Sequence, residues 1–359
     1  MENGQSIGEL GSPTRNYGIE LLRLVLTYMV CMLHTLGQGG VLSACPEGTV
    51  GYRAFWLIEI FSYCAVDGFA LISGYTAKNR PLRFSRVVEL WFQAFFYSFV
   101  VTVLLSPVSS GVSLTASDLM KDAMPVTYDR FWYFTAYFAL FLAIPILNQF
   151  LFSIDEKTAK KTLLLAIALY SVIGCIADSL QTRAGYSALW LMVLYCIGAL
   201  MKRVKLFEEK RSVTLLAIWA ASTLLTWADC LRGRWRLISY ISPTILLNGI
   251  VMVVLFSRVK LTGTIVSRLA PLTFGIYLFQ VNRIVWINFL GGIAWTAVTK
   301  SIYSGVAYVA VVALAVMVIG GVVEFVRAQL FRLLRISSIS GKIAALADWL
   351  LIRLSALLK

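Results

Sequence analysis

The sequence has 359 residues, of which 59% are hydrophobic and 14% are charged, and its formal net charge is +14. Soluble domains carry about a quarter of their residues as Asp, Glu, Lys and Arg, so this composition excludes an ordinary soluble protein and predicts a polytopic membrane protein. The basic loops of such a protein explain the positive charge better than a nucleic-acid partner does. Residues 1–16 are polar, which predicts a cytoplasmic N-terminal segment and no cleavable signal.

Ten apolar stretches are candidates for membrane-spanning helices, which need about 20 residues each. No stretch alternates apolar and polar residues with the period of two that membrane β-barrels show. The predicted fold is therefore all-α, with a transmembrane domain over residues 17–325. The ten stretches lie at roughly residues 17–36, 51–75, 87–106, 131–152, 162–178, 187–201, 213–229, 237–257, 269–290 and 302–325.

The distribution of Lys and Arg predicts the orientation of these spans, because short cytoplasmic loops are enriched in both. If the N-terminus is cytoplasmic, 22 of the 32 basic residues lie in cytoplasmic segments and 8 lie in external ones. The remaining two, Arg23 and Arg283, lie within spans. Both termini are therefore expected on the cytoplasmic side.

Residues 326–359 form a tail with leucines near one face of a helix and basic residues on the other. This pattern predicts an amphipathic helix on the cytoplasmic surface of the membrane, interrupted at Gly341. A helix that binds a partner protein is the alternative.

The six cysteines do not have the spacing of a metal site, and no metal is expected. Four of them lie in apolar stretches, where cysteine packs as a small hydrophobic residue. Cys45 and Cys230 lie in predicted loops, so a disulfide between them is left open.

The first span carries Arg23 and the only histidine of the chain, His34. A helix places these residues on one face, about 16 Å apart along its axis. An arginine inside a membrane normally faces a cavity or a partner. The two residues fit a polar path through the bilayer. They also fit a buried ion pair at Arg23 and a histidine that only bonds a loop.

Two acidic residues of the second span are candidates to meet this face. Asp67 is expected at a depth similar to that of Arg23, where the two would form an ion pair, and Glu59 is expected nearer His34. A carboxylate beside His34 would orient its ring. Arg283, near the outer end of the ninth span, either extends towards the surface or lines a polar site.

Basic residues follow Ser73 at the end of the second span. Arg80, Arg83 and Arg86 recur every three residues, which would align their guanidinium groups on one face of a helix. Such a face suits the phosphate groups of an anionic ligand or of lipid headgroups. Taken singly, each is equally well explained as ordinary cytoplasmic charge.

These motifs together resemble the membrane acyltransferase-3 family. The resemblance rests on Arg23 and His34 in the first span and on "FALISGY", followed by arginines spaced three apart. It rests also on "RFWYFTAYFALFLAIPIL" in the fourth span, which contains Trp132 and Tyr133, and on "FGIYLFQ" in the ninth. The similarity extends over roughly residues 15–325.

The resemblance implies an integral-membrane O-acyltransferase. Such an enzyme moves an acyl group, usually acetyl, from cytoplasmic acyl-CoA to a hydroxyl of a glycan, sugar or lipid-linked precursor at the outer face. The implied partners are acyl-CoA, this acceptor and membrane lipids, with a homodimer left open. The implied location is a bacterial cytoplasmic membrane.

The resemblance also implies roles for particular residues, with His34 as the general base on the acceptor hydroxyl. A covalent acyl-His intermediate is the alternative. Many members have a histidine where this chain has Gln280, so a mechanism that needs a second histidine is excluded. The expected catalytic residues are His34, Arg23, Glu59, Asp67 and Tyr133; the donor-binding residues are Arg80, Arg83, Arg86 and Ser73; and the acceptor-side residues are Trp132, Gln280 and Arg283.

Two other classes of protein fit the same intramembrane charges. A transporter or lipid flippase would use them as a permeation path, but the sequence shows no strong pair of broken helices in corresponding halves. A membrane receptor or sensor without chemistry is the third interpretation.

Overall fold

The computed structural model describes residues 15–79, 81–109, 113–178, 180–299 and 301–357. Within these residues all regular structure is helical, which confirms the predicted all-α class. Helices lie at all ten predicted positions. The principal helices are α1 (Tyr17–Gly37), α2 (Val50–Tyr75), α3 (Phe84–Val108), α4 (Trp132–Ser153), α5 (Glu156–Ile176), α6 (Ala188–Arg203), α7 (Ser212–Leu231), α8 (Pro243–Ser257), α9 (Thr264–Gln280), α10 (Arg283–Leu290), α11 (Ile302–Leu333) and α12 (Ile336–Leu357).

Seven of the described helices, α1 to α5, α7 and α11, are long and apolar enough to cross a membrane. The bent pair α9–α10 raises the number to eight if it forms one span. Helices α6 and α8 are shorter, with 16 and 15 residues, and carry many of the fully buried core residues. The chain is therefore a polytopic membrane protein, and its short helices α6 and α8 pack in the core with the long helices α1 and α2.

The ends of the helices gather at two faces. At the first face, the Asn16 side chain donates a hydrogen bond to the carbonyl oxygen of Ser257 (3.0 Å), joining the start of α1 to the end of α8. This side, which contains the loops predicted to be cytoplasmic, is termed the basic face. At the opposite face, Trp227 Nε1 of α7 donates to the carbonyl oxygen of Arg53 in α2 (2.9 Å).

The span formed by α9 and α10 is interrupted by a bend of 69°. Asn282 stabilises the interruption, because its Nδ2 donates to the carbonyl oxygen of Tyr97 and to Thr102 Oγ1, both at 2.8 Å. Its Oδ1 accepts from the backbone N–H of Ile284 (2.9 Å), which caps α10. A broken helix inside a membrane protein needs such partners, since lipid offers none. Hydropathy alone did not reveal this break.

The C-terminal tail differs from the prediction at one point. Gly341 does not interrupt α12, because a glycine inside a helix costs only about 1 kcal/mol and does not forbid helical geometry. The chain turns instead at Arg335, whose φ is +52°. Helix α12 packs against α3 and buries Ser340 and Ala344 in the contact. Helix α11 continues through the expected domain boundary at residue 325.

All six cysteines are free. Cys45 and Cys230 are both buried and do not form the disulfide that the sequence left open. Close packing of the helices, and no disulfide among the described residues, holds the core together.

Helices α2 and α6 approach each other closely at two glycines. A Cβ atom on Gly74 would lie 1.9 Å from the carbonyl oxygen of Tyr195, and one on Gly198 would lie 2.2 Å from that of Leu71. Neither contact can relax by a side-chain rotation, because each obstacle is backbone. Small residues that allow backbones to approach are a common basis of helix packing in membranes.

Replacement of Gly74 by alanine should therefore destabilise the protein. We expect a loss of about 1–3 kcal/mol or more, the usual effect of overpacking, measured as a lower midpoint of unfolding in detergent. Gly341→Ala is the matched control, since a Cβ there meets nothing within 4 Å and α12 is helical throughout. Equal stability of the two variants would contradict the packing described for α2 and α6.

The topology can be tested by labelling single cysteines in a cysteine-free background. Glu209, in the connection between α6 and α7, and Glu47, in the connection between α1 and α2, are both exposed and lie at the two different faces. Because the basic face is expected to be cytoplasmic, a membrane-impermeant maleimide should label Glu47→Cys in intact cells and Glu209→Cys only after lysis. The reverse pattern would invert the orientation.

Candidate functional site

One cavity of about 750 Å³ extends through the helix bundle between the two faces. Arg23 and Arg327 line its end at the basic face, and His34 and Trp132 line its end at the opposite face. Arg23 and His34, the two unusual polar residues of α1, therefore line the same partly open cavity. Its volume lies in the range of small-molecule and cofactor sites, about 300–1,000 Å³.

Two arginines at the basic end of the cavity are each held by a glutamate three residues earlier. Glu20 pairs with Arg23 (3.2 Å) and also with Arg15 (3.2 Å). Glu324 accepts from Arg327 Nε (2.9 Å) and from its terminal nitrogen (2.5 Å), and the Arg327 side chain is only 12% exposed. The glutamates offset the cost of placing these partly and largely buried cations in the helix bundle, and they leave further guanidinium donors for a ligand.

Glu324 is also bonded from the neighbouring helix α3. Tyr97 donates its hydroxyl to Glu324 (2.7 Å) and Gln93 donates its amide (3.2 Å). On its other side Glu324 fills the space beside Gly275 in α9, where a Cβ would lie 2.0 Å from its carboxylate. Glu324 therefore joins three helices at the mouth of the cavity and fixes the position of Arg327.

His34 lies in the last turn of α1, and its ring lines the cavity. The indole of Trp286 in α10 packs edge-on against the imidazole, with ring centroids 5.6 Å apart. Gln280, at the end of α9, interacts electrostatically with His34 but completes no hydrogen bond with it. The bend between α9 and α10 thus brings two further polar side chains to the only histidine.

Several buried polar atoms around the cavity have no partner in the described structure. All the atoms named below belong to residues that line the cavity. An unpaired buried polar group typically costs about 1–3 kcal/mol, so a cluster of them indicates a place where a bound water or pairing among these side chains supplies the missing bonds. These atoms are His34 Nδ1, Glu59 Oε2, the Tyr277 hydroxyl, both amide atoms of Gln280 and Trp286 Nε1.

Aromatic side chains wall the opposite end of the cavity. The rings of Tyr63 and Tyr240 stack with centroids 4.6 Å apart, and Trp132 packs on Tyr186 at the same separation, 4.6 Å. Tyr186 bridges to Tyr240 at 5.1 Å and remains 45% exposed. Glu59 lines the same region and makes no ion pair with any described residue. The site therefore combines ring faces, phenolic hydroxyls and one carboxyl group.

Ion pairs tie the segment between α3 and α4 to this end of the cavity. Arg130, which lines the cavity, pairs with Asp122 (2.6 Å), and Arg283 pairs with Asp118 (3.5 Å). Hydrogen bonds from Thr115 hold the pKa of the Asp118 carboxyl below its usual range. Burial raises the pKa of Asp122, an effect that the neighbouring Arg130 opposes.

The structure brings most of the predicted site residues together. Those that line the cavity are Arg23, His34, Glu59, Ser73, Trp132, Tyr133 and Gln280. Those that do not line it are Asp67, Arg83, Arg86 and Arg283, while Arg80 lies outside the described residues.

The expected ion pair between Asp67 and Arg23 is wrong. Asp67 is fully buried and accepts a hydrogen bond from Trp190 Nε1 (3.0 Å), whereas Arg23 pairs with Glu20. The two side chains were placed at similar depth, but depth alone does not determine which way a side chain points from its helix. Tyr133 lies near Asp67 and donates its hydroxyl to the carbonyl oxygen of Val66 (3.3 Å).

The expected alignment of arginines on one helix face is also wrong in part. Helix α3 begins at Phe84, so Arg83 precedes it in extended conformation and only Arg86 lies on it. Arg86 pairs with Glu89 (2.7 Å), and its side chain is 64% exposed. The role of Arg83 and Arg86 in phosphate binding stays a prediction. Arg283, 56% exposed and paired with Asp118, lies outside the cavity.

Sequence reasoning missed Arg327, Tyr186, Tyr240 and Trp286, all of which line the cavity. One signal was present: "ELLR" and "EFVR" place a glutamate three residues before Arg23 and Arg327, which marks a helical ion pair. The tyrosines and Trp286 gave no comparable signal, because aromatic residues are common throughout this chain.

No group of three or more His, Cys, Asp and Glu side chains that could hold a metal ion occurs among the described residues. The site is thus a partly open, mostly apolar cavity between the helices, with arginines at one end and a histidine near the other. Residues near both faces of the bundle line this candidate ligand site.

A family model described as "Acyltransferase domain" matches residues 16–324. The chain belongs to this acyltransferase-3 family and is a membrane acyltransferase. No match was found among curated proteins or solved structures.

Proposed function

We propose that the protein is an O-acyltransferase of a bacterial cytoplasmic membrane. It takes an acyl group, in the first place acetyl, from cytoplasmic acyl-CoA. It transfers this group to a hydroxyl of a cell-surface glycan, a sugar or a lipid-linked precursor. The observation that carries the proposal is the continuous cavity between Arg23 and Arg327 at one end and His34 near the other.

The donor is proposed to enter from the basic face. Arg23 and Arg327 offer guanidinium groups inside the cavity mouth, and such groups bind phosphate through paired hydrogen bonds. Arg83 and Arg86 would contact the parts of the donor that project outside the mouth. With its anionic portion held there, the thioester end of the donor would extend along α1 towards His34, about 16 Å further on.

The acceptor is proposed to enter from the opposite face. Tyr63, Trp132, Tyr186 and Tyr240 present apolar ring surfaces with polar edges, which suits a sugar ring whose faces are apolar and whose rim carries hydroxyls. Glu59 adds a carboxyl group that accepts hydroxyl hydrogen bonds. The acceptor hydroxyl would then lie beside His34.

The proposed reaction exchanges the thioester for an ester. His34 Nε2 takes the proton of the acceptor hydroxyl while the oxygen attacks the thioester carbonyl carbon. The tetrahedral intermediate places negative charge on the carbonyl oxygen. The Trp286 indole lines the cavity and would donate to this oxygen from Nε1–H after a ring rotation that exposes this buried atom. The carbon–sulfur bond then breaks, and the CoA thiolate receives the proton from His34. The net products are the acyl ester and CoA.

His34→Gln tests the base, since glutamine retains hydrogen bonding but cannot accept the proton. Purified protein in nanodiscs is given radiolabelled acetyl-CoA, with and without a panel of 4-nitrophenyl hexopyranosides as acceptors. We expect the rate of acetyl transfer to fall by about a hundred-fold or more, in line with the contribution of general bases. Acetyl-CoA binding should persist, because the arginines lie at the other end of the cavity.

Normal transfer by His34→Gln would remove the imidazole from the mechanism. Wild-type protein that neither transfers acetyl nor releases CoA, but exchanges a polar solute across vesicles, would instead support a transporter. The bent pair α9–α10 gives that outcome a structural basis, because broken helices often line transport paths.

Arg327→Gln tests the donor site, with Arg332→Gln as the control. Both residues lie on α11, but Arg332 is bonded to Gln329 and does not line the cavity. Loss of a charge-assisted phosphate contact costs about 1.5–3 kcal/mol, or roughly ten-fold or more in affinity. We therefore expect acetyl-CoA to bind at least about ten-fold more weakly to Arg327→Gln, by calorimetry, and normally to the control.

The double variant Arg83→Ala/Arg86→Ala separates the two candidate donor sites. We expect a smaller loss of acetyl-CoA affinity than in Arg327→Gln, because neither arginine lines the cavity. A large loss in the double variant with normal binding by Arg327→Gln would place the donor phosphates outside the cavity mouth.

A further inference from the structure

Gln280 and His34 contain buried polar atoms that can satisfy each other. The Gln280 side chain is fully buried, and neither Oε1 nor Nε2 has a hydrogen-bond partner. His34 Nδ1 is buried and unpartnered as well. The two residues line the same cavity and interact across it. A hydrogen bond between the two side chains would satisfy a buried polar atom on each of them.

The neighbours of Gln280 bear on which amide atom faces the ring. The Gln280 amide also interacts with Cys31, one helical turn before His34. A thiol is a weak donor and a weak acceptor. In the arrangement that we propose, the Cys31 sulfur accepts from the amide Nε2–H₂. This arrangement directs Oε1, an acceptor, towards His34 Nδ1.

We propose that Gln280 is a positioning residue for His34: its Oε1 accepts a hydrogen bond from Nδ1–H and so keeps Nε2 unprotonated towards the cavity. This role rests on the proposed function, in which His34 acts as the base. Because Nδ1 is buried, a base that acts on a ligand in the cavity must use Nε2. The partner of one ring nitrogen determines the state of the other.

The competing partner of Nδ1 is Trp286, whose indole packs edge-on against the imidazole. Trp286 Nε1 can only donate. A bond from it to Nδ1 would require that nitrogen to be unprotonated, so the proton of the neutral ring would lie on Nε2 and no base would face the cavity. The two partners therefore predict opposite tautomers of the same residue.

The tautomer can be measured directly, because His34 is the only histidine of the chain. Full-length protein carrying a tag without histidine is labelled with ¹⁵N-histidine and studied in nanodiscs by NMR. A single imidazole gives one pair of nitrogen signals. We expect Nδ1 to be protonated in the wild type and this preference to be lost in Gln280→Leu. Nε2 protonated in the wild type, or an unchanged tautomer in Gln280→Leu, would overturn the proposal.

Kinetics provide the second readout. Gln280→Leu should lower kcat for acetyl transfer by at least about ten-fold and leave KM for acetyl-CoA unchanged. Loss of the hydrogen-bond partner of a metal-ligating histidine costs about ten- to hundred-fold, and that of a catalytic histidine can cost more. Gln280→Glu keeps an acceptor oxygen and should restore most of the rate. Thr135→Val is the control, since the Thr135 hydroxyl is likewise buried and unpartnered but lies outside the cavity.

The two readouts separate the two proposals. A Gln280-dependent tautomer in a protein without acyl transfer would uphold the hydrogen bond and reject the proposed function. Active enzyme in which Gln280→Leu changes neither the tautomer nor kcat would reject the role of Gln280 and leave the proposed function standing. A variant that fails to fold shows no ordered imidazole signal, and Gln280→Glu then carries the test.

Discussion

The architecture depends on the need of every backbone polar group within a bilayer for a partner inside the protein. Continuous helices meet this need along most of the described chain, and the bend between α9 and α10 is the exception that matters for the site. Asn282 replaces the missing helical bonds there. Its contacts to α3 hold the bend where Gln280 ends one helix and Trp286 follows in the next. The polar surroundings of His34 are therefore a consequence of one stabilised interruption.

The scarcity of polar partners in a membrane also determines how the charged side chains are placed. Arg23 and Arg327 are each paired with a glutamate on their own helix, so neither needs a partner from another helix to be tolerated. Such pairs neutralise charge without using all five donors of the guanidinium group. An anionic ligand can then bind in a region that carries little net charge when empty. Glu324, bonded from α3 as well, makes this end of the cavity rigid.

The success and failure of sequence reasoning follow from this physics. The ten helix positions were predictable because apolar length is a local property. Helical periodicity and the order of the spans predicted that Arg23, His34 and Glu59 would face the same region. The pairing of Asp67 with Trp190 was not predictable, because it depends on how α2 is rotated against α6. The aromatic end of the cavity was not predictable for the same reason. Tyr186 and Tyr240 lie outside the spans that contain Tyr63 and Trp132, and only the fold brings these rings together.

The cavity differs in character from one end to the other, and this difference bears on how the proposed reaction would proceed. Two arginines, each held by a glutamate, lie at the basic end, whereas ring faces, His34, Glu59 and Arg130 lie towards the opposite end. Donor and acceptor of the proposed transfer would therefore approach from different faces and meet within one site. In the proposed reaction, one cavity that both substrates enter would allow the thioester to reach the acceptor without a carrier residue on the protein. Direct transfer consequently requires only one base, which agrees with a chain that contains one histidine.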